Sequence, residues 1–228
     1  MSWTAPTVVG RYLAAGGAEF LPLSEPEIHR ATRAYLRVLD TYAIAPRAHV
    51  LVVSLASQVA AYMPLERALF ERNFVVSNAD ATVFDASRVE MFARRFNVAA
   101  VFGVTVETLQ GMEGLGHEPS KVFAGRIVWA TPEAYAKLSP GTGYTLRCWA
   151  ELGPTVGVEC SEANGLHVSS EEWSVESVDG ELVVTSRLPR LVAFERAWTG
   201  RRGRVDRTPC ACGSTDGRVH LDLLRRSS

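Results

Sequence analysis

The chain has 228 residues, 47% of them hydrophobic and 21% charged, with a formal net charge of −1. That length allows a substantial core, and a charge this close to zero removes the electrostatic case for nucleic acid as a partner. No run approaches the ~18–20 apolar residues of a membrane span, and the start, MSWTAPTVVGRYLAAGG, lacks the basic and apolar regions of a secretion signal. The sequence therefore reads as a cytoplasmic protein with no membrane partner.

After a loop that includes Gly16-Gly17, Ser24-Glu25-Pro26-Glu27 predicts a helix start. Ser24 can cap, Pro26 suits the first turn, and Glu27 completes a Ser-x-x-Glu capping box. Ile28, Ala31, Tyr35, Leu36 and Leu39 then fall on one helical face. His49–Leu55 predicts a buried strand, residues 65–71 a helix and residues 74–77 a short strand. Asp85 caps a helix with an apolar stripe of Val89, Phe92, Ala93 and Phe96. A strand over 98–103, a turn capped by Thr105, a strand over 126–130 and a short helix opening at Thr131-Pro132 complete the alternation.

Strands alternating with helices predict an α/β fold with a mostly parallel sheet flanked by helices. From about Tyr144 the pattern becomes β-rich, with segments such as TVGVEC, WSVESV, ELVVTSR, LVAFERA and GRVHLDLL and an Asp179-Gly180 turn. The expectation is one domain over 1–228, with an α/β layer over 1–143 and a β-rich segment over 144–228.

The β-rich segment carries Cys160, His167, Cys210 and Cys212, a full tetrahedral set for zinc. In an extended strand Cys210 and Cys212 would share a face; Gly165 and Gly213 permit turns beside the ligands. In a reducing compartment clustered thiols favour metal over disulfides. Four protein ligands leave no open position, so the zinc is expected to be structural. The competing reading is of reduced cysteines and a surface histidine with no shared role. Cys148 stands apart and reads as a small buried hydrophobe.

The order Glu151, Gly153-Pro154, Glu159-Cys160, Gly165-Leu166-His167, Gly180-Glu181-Leu182-Val183, Thr199-Gly200 and Pro209-Cys210-Ala211-Cys212-Gly213 resembles phenylacetate–CoA ligases of the adenylate-forming superfamily. The resemblance implies that the chain corresponds to part of the large domain of those enzymes, and that Cys160, His167, Cys210 and Cys212 match their zinc-type ligands. It matches Glu151 to the family's metal- and phosphate-facing glutamate and Thr105 to the border of its acyl pocket.

Several departures oppose adenylation. The nearest match to the phosphate loop, Ser2-Trp3-Thr4-Ala5-Pro6-Thr7, has no glycine, although close approach of backbone N–H groups to an anion favours glycine. Arg201 replaces the aspartate that holds the ribose. The Gly-Glu segment is absent near Trp129–Pro132, and neither Lys121 nor Lys137 matches the lysine of the swinging subdomain, which the chain does not reach. ATP is therefore not expected as a cofactor.

Glu151 becomes a pocket acid or base candidate, against a plain salt-bridged carboxylate. Trp129 and Trp149 sit near the C-terminal ends of predicted strands, where open α/β sheets place ligands. With Thr105 they form a candidate pocket for an aromatic or acyl substrate, against plain core packing. Glu171-Glu172 and Arg201-Arg202 read as solvated faces or partner contacts.

Two functional readings follow. One is a repurposed ligase-like enzyme acting on an aromatic or acyl intermediate without adenylation. The other is a non-catalytic scaffold for a ligase or carrier protein. Residual adenylation is a third and lesser expectation. Apolar surface left by absent subdomains predicts a homodimer.

Overall fold

A computed structural model of the protein describes residues 5–14, 16–138 and 143–224. Ser2, Trp3 and Thr4, half of the Ser2–Thr7 stretch matched to a phosphate loop, lie outside them. The chain forms two compact units, one from Met1–Tyr42, Ala56–Ala68 and Ala150–Ser228, the other from Ala43–Leu55 and Leu69–Trp149. Among the described residues no helix is long and apolar enough to cross a membrane.

The first unit opens with an antiparallel hairpin, β1 (Val8–Ala14) and β2 (Gly17–Leu23), which the sequence did not predict. Its signal is hidden because both faces are apolar. Tyr12, Leu21 and Leu23 are buried, while Val9, Leu13 and Phe20 are exposed, so the polar alternation of a half-buried strand is missing. Helix α1 (Glu25–Leu39) starts where the capping signals place it. The Glu27 carboxylate accepts from the Ser24 backbone N–H at 2.8 Å and from the Ser24 hydroxyl. Its buried face carries Ile28, Tyr35, Val38 and Leu39, and the Tyr35 hydroxyl donates to the Ala61 carbonyl at 3.0 Å.

The β-rich part is a run of antiparallel strands: β8 (Thr155–Glu159), β9 (Leu166–His167), β10 (Trp173–Val178), β11 (Glu181–Ser186), β12 (Ala197–Asp206) and β13 (Arg218–Leu221). The spatial order is β10-β11-β12-β13-β9-β8. The Asp179-Gly180 turn joins β10 and β11 as expected. The strand expected over 191–197 does not form before Ala197. Two of its backbone donors go to side chains instead, Leu191 N–H to Glu27 at 3.4 Å and Phe194 N–H to Ser186 Oγ at 2.9 Å.

In the second unit β3 (His49–Ser54), β4 (Val75–Asp80), β5 (Val98–Val104), β6 (Ile127–Ala130) and the first part of β7 (Thr145–Leu152), which crosses into the first unit at Ala150, run parallel in the order β4-β3-β5-β6-β7. Helices α3 (Ala86–Arg95), α4 (Val106–Gly114), α5 (Pro119–Val122) and α6 (Pro132–Lys137) accompany this sheet. Leu51, Val89, Val101, Leu109, Met112 and Phe123 join one core among them. Helix α2 (Val59–Glu71), which crosses the boundary between the units in sequence, starts earlier than expected and runs through Pro64.

Candidate functional site

All four predicted metal ligands come together in the first unit, their ligand atoms within 4.8 Å of one another. Cys160 Sγ lies 3.8 Å from Cys210 Sγ, and Cys212 Sγ lies 3.6 Å from His167 Nε2. A tetrahedral ion about 2.3 Å from each sulfur sets sulfur–sulfur separations of about 3.8 Å, whereas a disulfide needs about 2 Å. All the cysteines are free thiols.

Cys160 and His167 arrive on either side of a turn in which Gly165 has φ +88°, and a Cβ there would meet the His220 ring at 3.0 Å. Cys210 and Cys212 do not share a strand face, as their spacing in extended chain would have required. A turn collects them. Gly213 N–H bonds the Cys210 carbonyl at 3.0 Å, Cys210 N–H bonds the Ser214 carbonyl at 2.9 Å, and Gly213 has φ +90°.

The protonation chemistry fits a metal. Burial pushes the Cys160 thiol up to about 12, with the neighbouring thiols adding to it, so thiolates here need a cation. Against the upward push of burial, the Cys212 backbone N–H, the adjacent thiols and the Arg218 charge hold Cys210 below its ordinary value. Burial lowers His167, opposed by Asp216 and reinforced by Arg218 and Arg37; this favours the neutral imidazole that binds metal. Among the described residues His167 Nδ1 is buried with no hydrogen-bond partner. The cluster can hold a metal ion.

His167 also borders a cavity of about 70 Å³ whose described lining lies wholly in the first unit. Leu21, Leu23, Ala31, Ala60 and Pro64 give it apolar walls, and Arg11, Glu151 and Arg190 line it as well. Glu151, at the end of β7, accepts from Gln58 Nε2 at 3.3 Å. Burial raises its pKa, only partly opposed by the Arg11 charge, the Gln58 hydrogen bond and the Arg201 charge. A half-buried carboxyl so balanced can give or take a proton at higher pH than an ordinary glutamate.

The other predicted residues lie elsewhere. Thr105 caps α4, accepting from Thr108 N–H at 3.3 Å. Trp129 and Trp149 are each 1% exposed in the second unit, on Phe102 at ring separations of 5.0 and 6.2 Å. None of the three is among the residues lining the cavity with Glu151. Cys148 is buried.

Sequence reasoning missed the polar group beside the cavity. Glu172 is not solvated; it is 2% exposed and pairs with both Arg30 and Arg190. Arg190 stands 3.9 Å over the Trp173 ring and 3.5 Å from Glu27. An adjacent acidic pair gives no hint that one member turns inward, since its partners are distant in sequence. Glu171 does face outward, pairing with Arg33 at 3.1 Å.

No protein-family model matches the chain, and no curated protein matches it. Among solved structures, a 2-hydroxyisobutyryl-CoA ligase in complex with 2-HIB-AMP and CoA matches with TM-score 0.71 and 15% identity, over 96% of this chain and 53% of that one. An o-succinylbenzoate CoA synthetase from Bacillus subtilis matches with TM-score 0.58 and 12% identity, over 99% and 50%. A malonyl-CoA ligase matches with TM-score 0.53 and 14% identity, over 96% and 53%. The chain shares its fold with these CoA-ligase structures and spans about half their length.

Proposed function

We propose that the protein is a phenylacetate–CoA ligase-like protein repurposed to bind a short acyl group and act on it by proton transfer, without adenylation. The carrying observation is Glu151, a carboxyl with a raised pKa on the wall of a cavity lined by both apolar and charged side chains. The volume of about 70 Å³ is under half of the roughly 150 Å³ that admits benzene into an apolar cavity. That favours a short acyl chain over an aromatic ring as the buried part. Cys160, His167, Cys210 and Cys212 would hold a structural zinc ion, whose contribution is to fasten the wall that carries His167.

Calorimetric titration of the whole chain with acetate, propionate and phenylacetate, each with and without ATP and magnesium, tests this reading. Saturable heat is expected for a short acid without nucleotide and should be lost in Glu151→Gln. Heat that depends on ATP supports adenylation instead, and no heat with any acid supports the scaffold reading.

Glu151 also predicts a pH effect. Its folded-state pKa lies above its ordinary value, so the folded chain binds more protons across that interval and stability falls as pH rises through it. Melting temperatures measured from pH 4.5 upward should decline less in Glu151→Gln than in the native chain. Parallel curves would show that Glu151 is solvated.

The scaffold reading draws on the outer face of the β1–β2 hairpin, where Phe20 is 82% exposed beside Val9 and Leu13. An apolar face of this kind fits self-association. Light scattering at micromolar concentration should give a dimer that Phe20→Glu converts to monomer; a native monomer rejects the proposal.

A further inference from the structure

Arg218 opens β13 and is only 2% exposed. Its Cα pairs with His167 on one neighbouring strand and with Asp206 on the other. Nη1 donates to the Asn164 carbonyl at 3.2 Å. Nη2 donates to Asp206 Oδ2 at 2.8 Å, the Thr208 carbonyl at 3.2 Å and Thr208 Oγ1 at 2.8 Å. Asp206 Oδ1 in turn accepts from the Thr208 N–H at 2.8 Å and the Thr208 hydroxyl at 2.7 Å.

These partners are placed tellingly. Asn164 lies inside the turn that separates Cys160 from His167, and Thr208 stands two residues before Cys210. A single rigid guanidinium thus ties together the two chain segments that bring the ligands. His167 is held in the sheet by β8 and β13, but the Cys210–Cys212 turn carries no strand ladder, so its position beside β9 depends on such ties. Guanidinium suits the task because its planar fork presents fixed donor directions, which a lysine ammonium does not. Three thiolates, one neutral imidazole and a divalent ion also sum to one net negative charge, and a buried cation nearby offsets it.

We propose that Arg218 is the positioning residue of the Cys160–His167–Cys210–Cys212 metal centre, holding the two ligand-bearing segments at the separation the ion needs. The inference rests on the metal reading given above. Residues that support metal ligands from outside typically change affinity by about 10–100-fold when replaced. Arg218→Met should therefore weaken binding at least tenfold, and Arg218→Lys, which keeps the charge and loses the fork, should recover part of that loss.

The test is a titration of the metal-stripped whole chain with cobalt(II), read by the absorption bands of tetrahedral thiolate-bound cobalt, with affinity set by a competing chelator. The rise in melting temperature on adding cobalt is measured beside it. The native chain should bind one ion, Arg218→Met should show weaker, altered bands and a smaller cobalt-induced rise, and Arg218→Lys should fall between. Thr208→Val, at an exposed position, removes one acceptor without burying anything new and should weaken binding in the same direction if Arg218→Met does not fold. A purely structural Arg218 would lower the melting temperature equally with and without cobalt and leave the affinity unchanged, which overturns the inference alone. A native chain that gives no cobalt bands overturns the metal reading and this inference with it.

Discussion

Replacing Cys210 with serine is expected to remove the bound metal and lower the melting temperature by roughly 10 °C. Structural zinc contributes about 10–16 kcal/mol in small zinc-dependent peptides. Losing even a third of that is about 4 kcal/mol, and each kcal/mol shifts the midpoint of a chain this size by about 2–4 °C. The cluster has few substitutes for the ion. Cys160 is 1% exposed and Cys210 5% exposed, no disulfide joins them, and the turn carrying Cys210 and Cys212 is held by two short-range backbone bonds. His167→Ala should act alike and also change the cavity wall. Elemental analysis should find about one zinc per native chain and much less in either variant. A chelator should bring the native midpoint down to that of Cys210→Ser while leaving the variant unmoved. An unchanged melting curve with no metal in the native chain would reject the assignment.

How much of this could be read from the sequence depended on how local each cause was. The α1 start was legible because its capping box needs only Ser24 and Glu27, three residues apart. The parallel strands were legible because buried strands are continuous apolar runs, as in VLVV and VAAVFGV. The four metal-type residues were legible because thiols are scarce and their chemistry is distinctive, although the turn that gathers Cys210 and Cys212 was not. The β1–β2 hairpin escaped because Val9, Leu13 and Phe20 fill the face that a strand normally leaves polar. The cavity escaped for another reason: Leu21, Ala31, Ala60 and Glu151 meet only when distant segments fold together. Trp129 and Trp149 were picked as pocket walls from their place in the strands, but large aromatic side chains at such positions also fill cores, and here they pack on Phe102.

The buried charges beside the cavity carry the other large expected effect. Glu172→Gln should destabilise the protein by about 3–5 kcal/mol, the usual cost of breaking a buried ion pair by removing one partner, or roughly 10 °C in melting temperature. In the native chain Glu27 and Glu172 balance Arg30 and Arg190, and the side chains of Glu27, Glu172 and Arg190 are 2%, 2% and 5% exposed. Removing the Glu172 charge leaves Arg190 with Glu27 at 3.5 Å and takes from Arg30 the carboxylate it pairs with. Arg30 would retain the Pro189 carbonyl at 3.1 Å, and Arg190 the Trp173 face at 3.9 Å, but neither supplies a counter-charge. The double replacement Glu172→Met with Arg190→Met removes one charge of each sign and should recover most of the loss, because paired buried ions are often replaceable by apolar side chains of similar volume. Thermal melts of the three proteins decide it. A Glu172→Gln midpoint within about 2 °C of native, less than 1 kcal/mol on the same scale, would mean that water reaches these charges. The double variant has a second consequence for function, since Arg190 and Glu172 both line the cavity. If it folds but no longer gives heat with a short acid, the network serves binding as well as stability; if the heat persists, Glu151 and the apolar walls suffice.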